Sequence, residues 1–142
     1  MYHHLCLPTD ASPLSDHAID QTLALAHSLR ARVTVLSVTT PYHVFAVTPE
    51  QMVAVRDDYE REVRDAARTH LRTVESRAHA LSVPCDCVVI EDEHPYEAII
   101  AIANERGWPR MDDGIKGLVL GSETVKVLTH SAIPVLVYRQ PA

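Results

Sequence analysis

Residues 135–138, Val135-Leu136-Val137-Tyr138, form an uninterrupted apolar run directly behind Pro134. The proline stops any preceding helix, and the run is too short to be one itself, so it reads as a strand. A strand without polar alternation is covered on both faces, as in a parallel sheet. Ahead of it, residues 114–133 read as a loop followed by a short helix. Gly121-Ser122 marks the joint, because glycine permits the tight turn and serine caps the helix that follows. Val125, Leu128 and Ala132 are the expected apolar stripe of that helix. Free backbone N–H groups at such a turn suit a phosphate, although most Gly-Ser helix starts are only helix starts.

The rest of the chain repeats the same alternation. Leu5-Cys6-Leu7 is a short apolar strand, and Ser12-Pro13 is a strong helix start, a cap followed by proline at the first helical position. Leu14, Ala18, Ile19, Leu23, Ala26 and Leu29 then share one side of a helix running to about Arg30. A second strand covers residues 32–38, completing the strand–helix–strand unit of a parallel sheet. Residues 40–47 read as a loop. Thr48 and Gln51 form a capping box for a long helix with Tyr59, Val63, Ala66, Leu71, Val74, Ala78 and Leu81 on its apolar side. Its charge run reads as a solvated face, with pairs such as Glu60–Arg64. At ~1.5 Å per residue the stretch is about 48 Å long, so its front end is expected to project, bend or fray. Residues 85–90 are a third strand. Pro95 opens a third helix with Ala98, Ile99, Ile102 and Ala103 on its apolar side. These elements make one alternating α/β domain over residues 1–142.

Composition narrows the function classes. A net charge of −6 without a Lys/Arg cluster argues against nucleic acid, and no apolar run approaches the ~20 residues of a membrane span. Three cysteines and no secretory pattern at the N-terminus fit a cytoplasmic protein. Cys85 and Cys87 share one face of their strand and read as small core residues, since nothing supplies further metal ligands. None of the nine histidines has metal-ligand spacing with a third ligand at hand, and His130 lies two turns from Ser122 on the same helix. The chain does not read as an enzyme.

LPTDAS after the first strand, a valine ending the second, and LGSETVKVLTHSAIPVLVYR at the end together resemble the universal stress protein family. The resemblance covers nearly the whole chain. It implies an open parallel sheet in the order 3-2-1-4-5 flanked by helices, ATP or AMP as ligand, and a homodimer formed through the last strand. It also implies adenine and ribose contacts at Pro8, Thr9, Asp10 and Val38. Asp10, at the carboxyl end of a strand beside the reversal of strand order, suits a ribose hydroxyl. The phosphate-binding end of the family motif, G-x-x-G, nine residues, then G-S/T, corresponds to Gly121, Ser122, Glu123 and Thr124.

Two departures stand out. Trp108 and Met111 occupy the places of the two earlier glycines, and Asp112 and Asp113 add negative charge beside the phosphate path. The apolar fourth strand of the family is also shortened or replaced, with about half a dozen residues absent after Gly107. Residues 107–113 at ~3.3 Å each span roughly 23 Å, enough to cross the sheet, so residues 108–111 are expected in or near the fourth-strand slot. Alternatives are a strand from a partner chain, or direct pairing of the last strand with the first. Two functions follow: a stress-response module with a partial adenine-nucleotide site and an impaired triphosphate loop, or a dimeric interaction module of the same fold that binds no nucleotide.

Overall fold

A computed structural model describes residues 2–41, 49–105, 117–119, 124–132 and 135–137. The first strand, β1 (His4–Thr9), is buried at every position. Helix α1 (Pro13–Leu29) starts at Ser12, whose extended backbone lets its Oγ accept from the Ser15 N–H at 3.2 Å. It stops where Arg30 turns left-handed at φ 53°, so that the Ala31 N–H reaches the Ala26 carbonyl at 2.9 Å. Strand β2 (Arg32–Thr39) follows, then the long helix α2 (Pro49–Ala80). The end of α2 repeats that of α1: Ser82 has φ 57°, and the Val83 N–H reaches the Ala78 carbonyl at 2.9 Å. Neither stop uses glycine. A side chain in this region costs about 1–2 kcal/mol, offset here by carbonyl capping and by burial of the next residue, Ala31 or Val83.

Strand β3 (Cys85–Glu91) leads to α3 (Pro95–Glu105), whose entry is fixed by the Asp92 carboxylate accepting from the His94 N–H at 2.8 Å. Three short elements follow: β4 (Gly117–Val119), α4 (Thr124–His130) and β5 (Val135–Val137). Strands β1, β2 and β3 form a parallel sheet in that order, with Leu5 opposite Val33 and Val35 opposite Cys87. Strand β4 pairs in parallel with β5, Leu118 opposite Leu136, and lies against β1.

Alternation along the strands divides the core. Leu5, Leu7, Val33 and Val35 face α1 and α2, packing on Ile19, Leu23, Ala26, Leu71, Val74 and Ala78. On the opposite face, Leu36 packs with Ile99 of α3 and Val127 of α4, and Val38, Val88 and Ile90 join them. Helices therefore cover both faces, the condition under which parallel strands are stable.

Several sequence expectations are corrected. The described fourth strand is residues 117–119, inside the stretch read as loop, while residues 108–111 lie outside the described residues. An apolar pair, Leu118-Val119, sits between glycines there, and pairing with β5 makes it a strand. Direct pairing of the last strand with the first is not what β5 does. On α4 Val127 is buried, whereas Leu128 is 48% exposed and Ala132, just beyond the helix, is exposed; the Val125 side chain lies outside those described. On α2, Ala67 rather than Ala66 is buried. Nothing described between Val55 and Ala66 is buried, so this end projects from the domain without losing its helix. Glu60 pairs with Arg56 at 2.8 Å, one turn before Arg64, an exposed contact worth a few tenths of a kcal/mol. Thr48, half of the expected capping box, lies outside the described residues.

Candidate functional site

The carboxyl ends of β1 and β2 meet beside β4. Pro8 is opposite Leu36 and Thr9 opposite Ser37, so one step further along the register stand Asp10 and Val38. Pro8 donates no ladder bond, which a strand tolerates near its end. Val38 is half-buried and presents apolar surface, while the neighbouring Asp10 is exposed. β1 pairs with β2 and lies close to β4, and in open parallel sheets ligands bind at the carboxyl ends of strands where the strand order reverses.

The loop between β1 and α1 is held by its own side chains. Asp10 Oδ1 accepts from the Ser12 N–H at 3.0 Å and from the Ser15 hydroxyl. The Asp10 N–H in turn points at Ser15 Oγ, 3.4 Å away. Ala11 takes a left-handed turn at φ 61°, and its N–H donates to Thr9 Oγ1 at 3.2 Å. Partial burial pushes the Asp10 carboxyl upward, but the Ser12 and Ser15 hydrogen bonds together outweigh it and hold the pKa below its ordinary 3.8. Asp10 is therefore an ionised, oriented carboxylate at neutral pH. One oxygen is occupied locally, and the other has no hydrogen-bond partner among the described residues. A carboxylate so placed can accept two hydroxyl protons of a diol, and Val38 offers a flat apolar contact beside it.

Pro8, Thr9, Asp10 and Val38, separated by up to thirty residues in sequence, are thus brought together at one sheet edge. Gly121, Ser122 and Glu123 lie outside the described residues, as do Trp108 and Met111. Thr124 opens α4. The structure adds a residue that sequence reasoning passed over: His70 of α2 is hydrogen-bonded through Nε2 to Thr9 Oγ1 at 3.1 Å. A single histidine behind a charge run carries no signal of its own. Only the packing of α2 across β2 and β3 brings it to the end of β1.

Other expectations concern chemistry away from this edge. His130 Nδ1 donates to the Lys126 carbonyl at 2.8 Å, and its ring lies 5.5 Å from that of Tyr96, which fixes it as a helix-end residue. Among the described residues no group of three or more His, Cys, Asp or Glu could hold a metal ion. No described helix is long and apolar enough to cross a membrane.

A family model described as the universal stress protein family matches residues 1–139. The chain belongs to that family. A curated relative, universal stress protein YxiE of Bacillus subtilis, is 26% identical over 152 residues, spanning 98% of this chain and 100% of that protein. Among solved structures, the protein MJ0577 superposes with a TM-score of 0.77 at 20% identity, covering 100% of this chain and 99% of that one. A universal stress protein from Arabidopsis thaliana with AMP bound superposes with a TM-score of 0.67 at 17% identity, covering 99% and 93%. Other similar members were solved with cAMP and, from Archaeoglobus fulgidus, with dAMP. At these identities the structures establish the shared fold. Membership of this family agrees with the reading that the chain is not an enzyme.

Proposed function

We propose that this universal stress protein is a stress-response module that binds an adenine nucleotide through its base and ribose and holds polyphosphate weakly. The observation that carries the reading is Asp10, an ionised carboxylate with one oxygen unengaged among the described residues, standing next to Val38 at the carboxyl edge of the sheet. Pro8 and Thr9 complete the adenine and ribose side. Relatives of the same fold that bind AMP, cAMP and dAMP supply the ligand class. On the phosphate side, Gly121, Ser122, Glu123 and Thr124 are the remaining contacts. Trp108 and Met111 stand where the family has glycine, so Cβ atoms and bulk occupy places where main-chain N–H groups would meet phosphate. ATP is therefore expected to gain little over AMP.

The same reading takes the sheet order as 3-2-1-4-5, supported by the β1–β2–β3 ladder, the β4–β5 ladder and the approach of β4 to β1. It takes β5 as the outer strand, half-buried at Val135 and Leu136, and as the natural seam of a homodimer. Three cysteines with no disulfide among the described residues suit the cytoplasm. Calorimetric titration with AMP, ADP and ATP tests the ligand claim. Measurable AMP binding with ATP no tighter is the expected result. ATP binding tenfold or more tighter than AMP, about 1.4 kcal/mol, overturns the weakened-phosphate claim. Absence of binding by all three favours a dimeric interaction module without nucleotide, a reading that the bulk of Trp108 and Met111 supports. Light scattering at micromolar concentration tests the dimer, and a monomer would refute it.

A further inference from the structure

Strand β3 pairs with β2 on one side, and among the described residues nothing pairs with its other side. Burial records the difference. Residues 33–37 of β2 are all buried, whereas no residue of β3 is. Cys87 and Val89 pack with the cluster beneath α2, and Val88 and Ile90 with the cluster beneath α3 and α4. A groove of about 470 Å³ is lined by Cys87, Val88 and Val89 together, with Arg68, Arg72 and Glu75 of α2 as its other wall. Because it touches residues of both faces, the groove follows the open edge of the strand. The Cys87 S–H donates to the Leu71 carbonyl at 3.6 Å, which ties α2 to β3 along it.

An open edge presents unpaired backbone N–H and C=O groups, and an extended chain satisfies them by adding as a further strand. Charge decides what kind of chain. Arg68 and Arg72 are exposed and have no ion-pair partner among the described residues, and the one carboxylate on the same wall is that of Glu75. Four residues of helix rise about 6 Å, and alternate residues of a strand stand about 6.6 Å apart. Two guanidiniums one helical turn apart therefore match two carboxylates at alternate positions of an added strand, each suited to a bidentate contact. Asp86 and Glu91 are exposed near the two ends of β3. Two copies of this edge paired antiparallel would bring those like charges together, so a different chain is favoured.

We propose that the open edge of β3 takes up an extended segment of a partner protein with acidic residues at alternate positions, its backbone continuing the sheet and its carboxylates meeting Arg68 and Arg72. Apolar residues at the intervening positions lie beside Val88 and Ile90. The site is separate from the nucleotide edge, since β2 stands between β3 and β1.

Fluorescence anisotropy of the full chain with a labelled, end-blocked Thr-Val-Glu-Val-Glu-Val-Thr peptide tests this. Saturable binding is expected, with slowed amide exchange in β3. The analogue with lysine in place of both glutamates should bind about tenfold more weakly. Methylating one alternate set of peptide amides should abolish binding, and methylating the other set should leave it intact. Arg68→Gln/Arg72→Gln should weaken binding about tenfold, and Arg68→Glu/Arg72→Glu should reverse the preference toward the lysine peptide. The wild-type protein alone overturns the proposal if the glutamate peptide does not bind, if the lysine analogue binds equally, or if exchange slows away from β3. Equal effects of the two methylated sets would refute strand addition. Protection of β3 in a peptide-free dimer would assign the edge to a second copy and refute the proposal as well.

Discussion

The three-stranded β1–β2–β3 sheet and the β4–β5 pair are built differently. Strands β1, β2 and β3 run for 6, 8 and 7 residues, and of β4 and β5 three residues each are described. The three-stranded half contains no glycine. It stops its helices with left-handed Arg30 and Ser82 and ties its carboxyl edge, the proposed ligand edge, together with side chains, Asp10 to Ser12 and Ser15, and Thr9 to His70. All the glycines of the chain fall between Gly107 and Gly121, the region that meets phosphate in this family. Base and ribose can be recognised by side chains and a strand end. A polyphosphate chain needs bare backbone, and under the proposed reading Trp108 and Met111 deny it that at two places. On that reading the base-and-ribose half of a nucleotide site can stand while the phosphate half is weakened.

Core substitutions probe this division most strongly. Leu7→Ala, in the fully buried centre of β1, should lower unfolding free energy by about 3 kcal/mol, whereas Leu136→Ala on half-buried β5 should cost clearly less. Urea denaturation measures both, and equal losses would break the distinction between the halves. Next in size, Asp10→Ala should weaken AMP binding by roughly tenfold or more, because a charge-assisted hydrogen bond of about 1.5–3 kcal/mol is lost. Asp10→Asn, which can still accept at Oδ1, should preserve the loop while losing the charge, so calorimetry on both variants separates folding from recognition.

Smaller effects sharpen the account of the ligand edge. Ser12→Ala should destabilise the protein by about 1 kcal/mol through loss of the α1 cap. Because the folded pKa of Asp10 is depressed, its contribution to stability is present above the unfolded carboxylate value and disappears as pH falls through the folded one. Ser15→Ala should move the Asp10 carboxyl upward, measurable by NMR titration, and a constant pKa would mean that Ser15 does not hold that oxygen. Arg77, which reaches Asp16 at 3.3 Å and Asp20 at 3.4 Å from α2, is half-exposed, and Arg77→Ala should cost no more than about 1 kcal/mol.

The periodicity of this chain was enough for the order of its first elements. Ser12-Pro13 marked the start of α1, the apolar runs of β1, β2 and β3 marked parallel strands, and Pro95 marked α3, because each of these signals acts within a few residues. The motif resemblance singled out Asp10 and Val38, and the register accounts for their adjacency. What local pattern did not contain was anything dependent on a distant partner. Leu118-Val119 became a strand through β5, and Val127 rather than Leu128 turned inward because Leu36 and Ile99 were there to cover it. His70 reached Thr9, and Cys87 came to line a groove, through the path of α2 over the sheet. Backbone preference and hydrophobic spacing are written residue by residue, whereas burial and hydrogen-bond partnership belong to pairs that only the folded chain brings into contact.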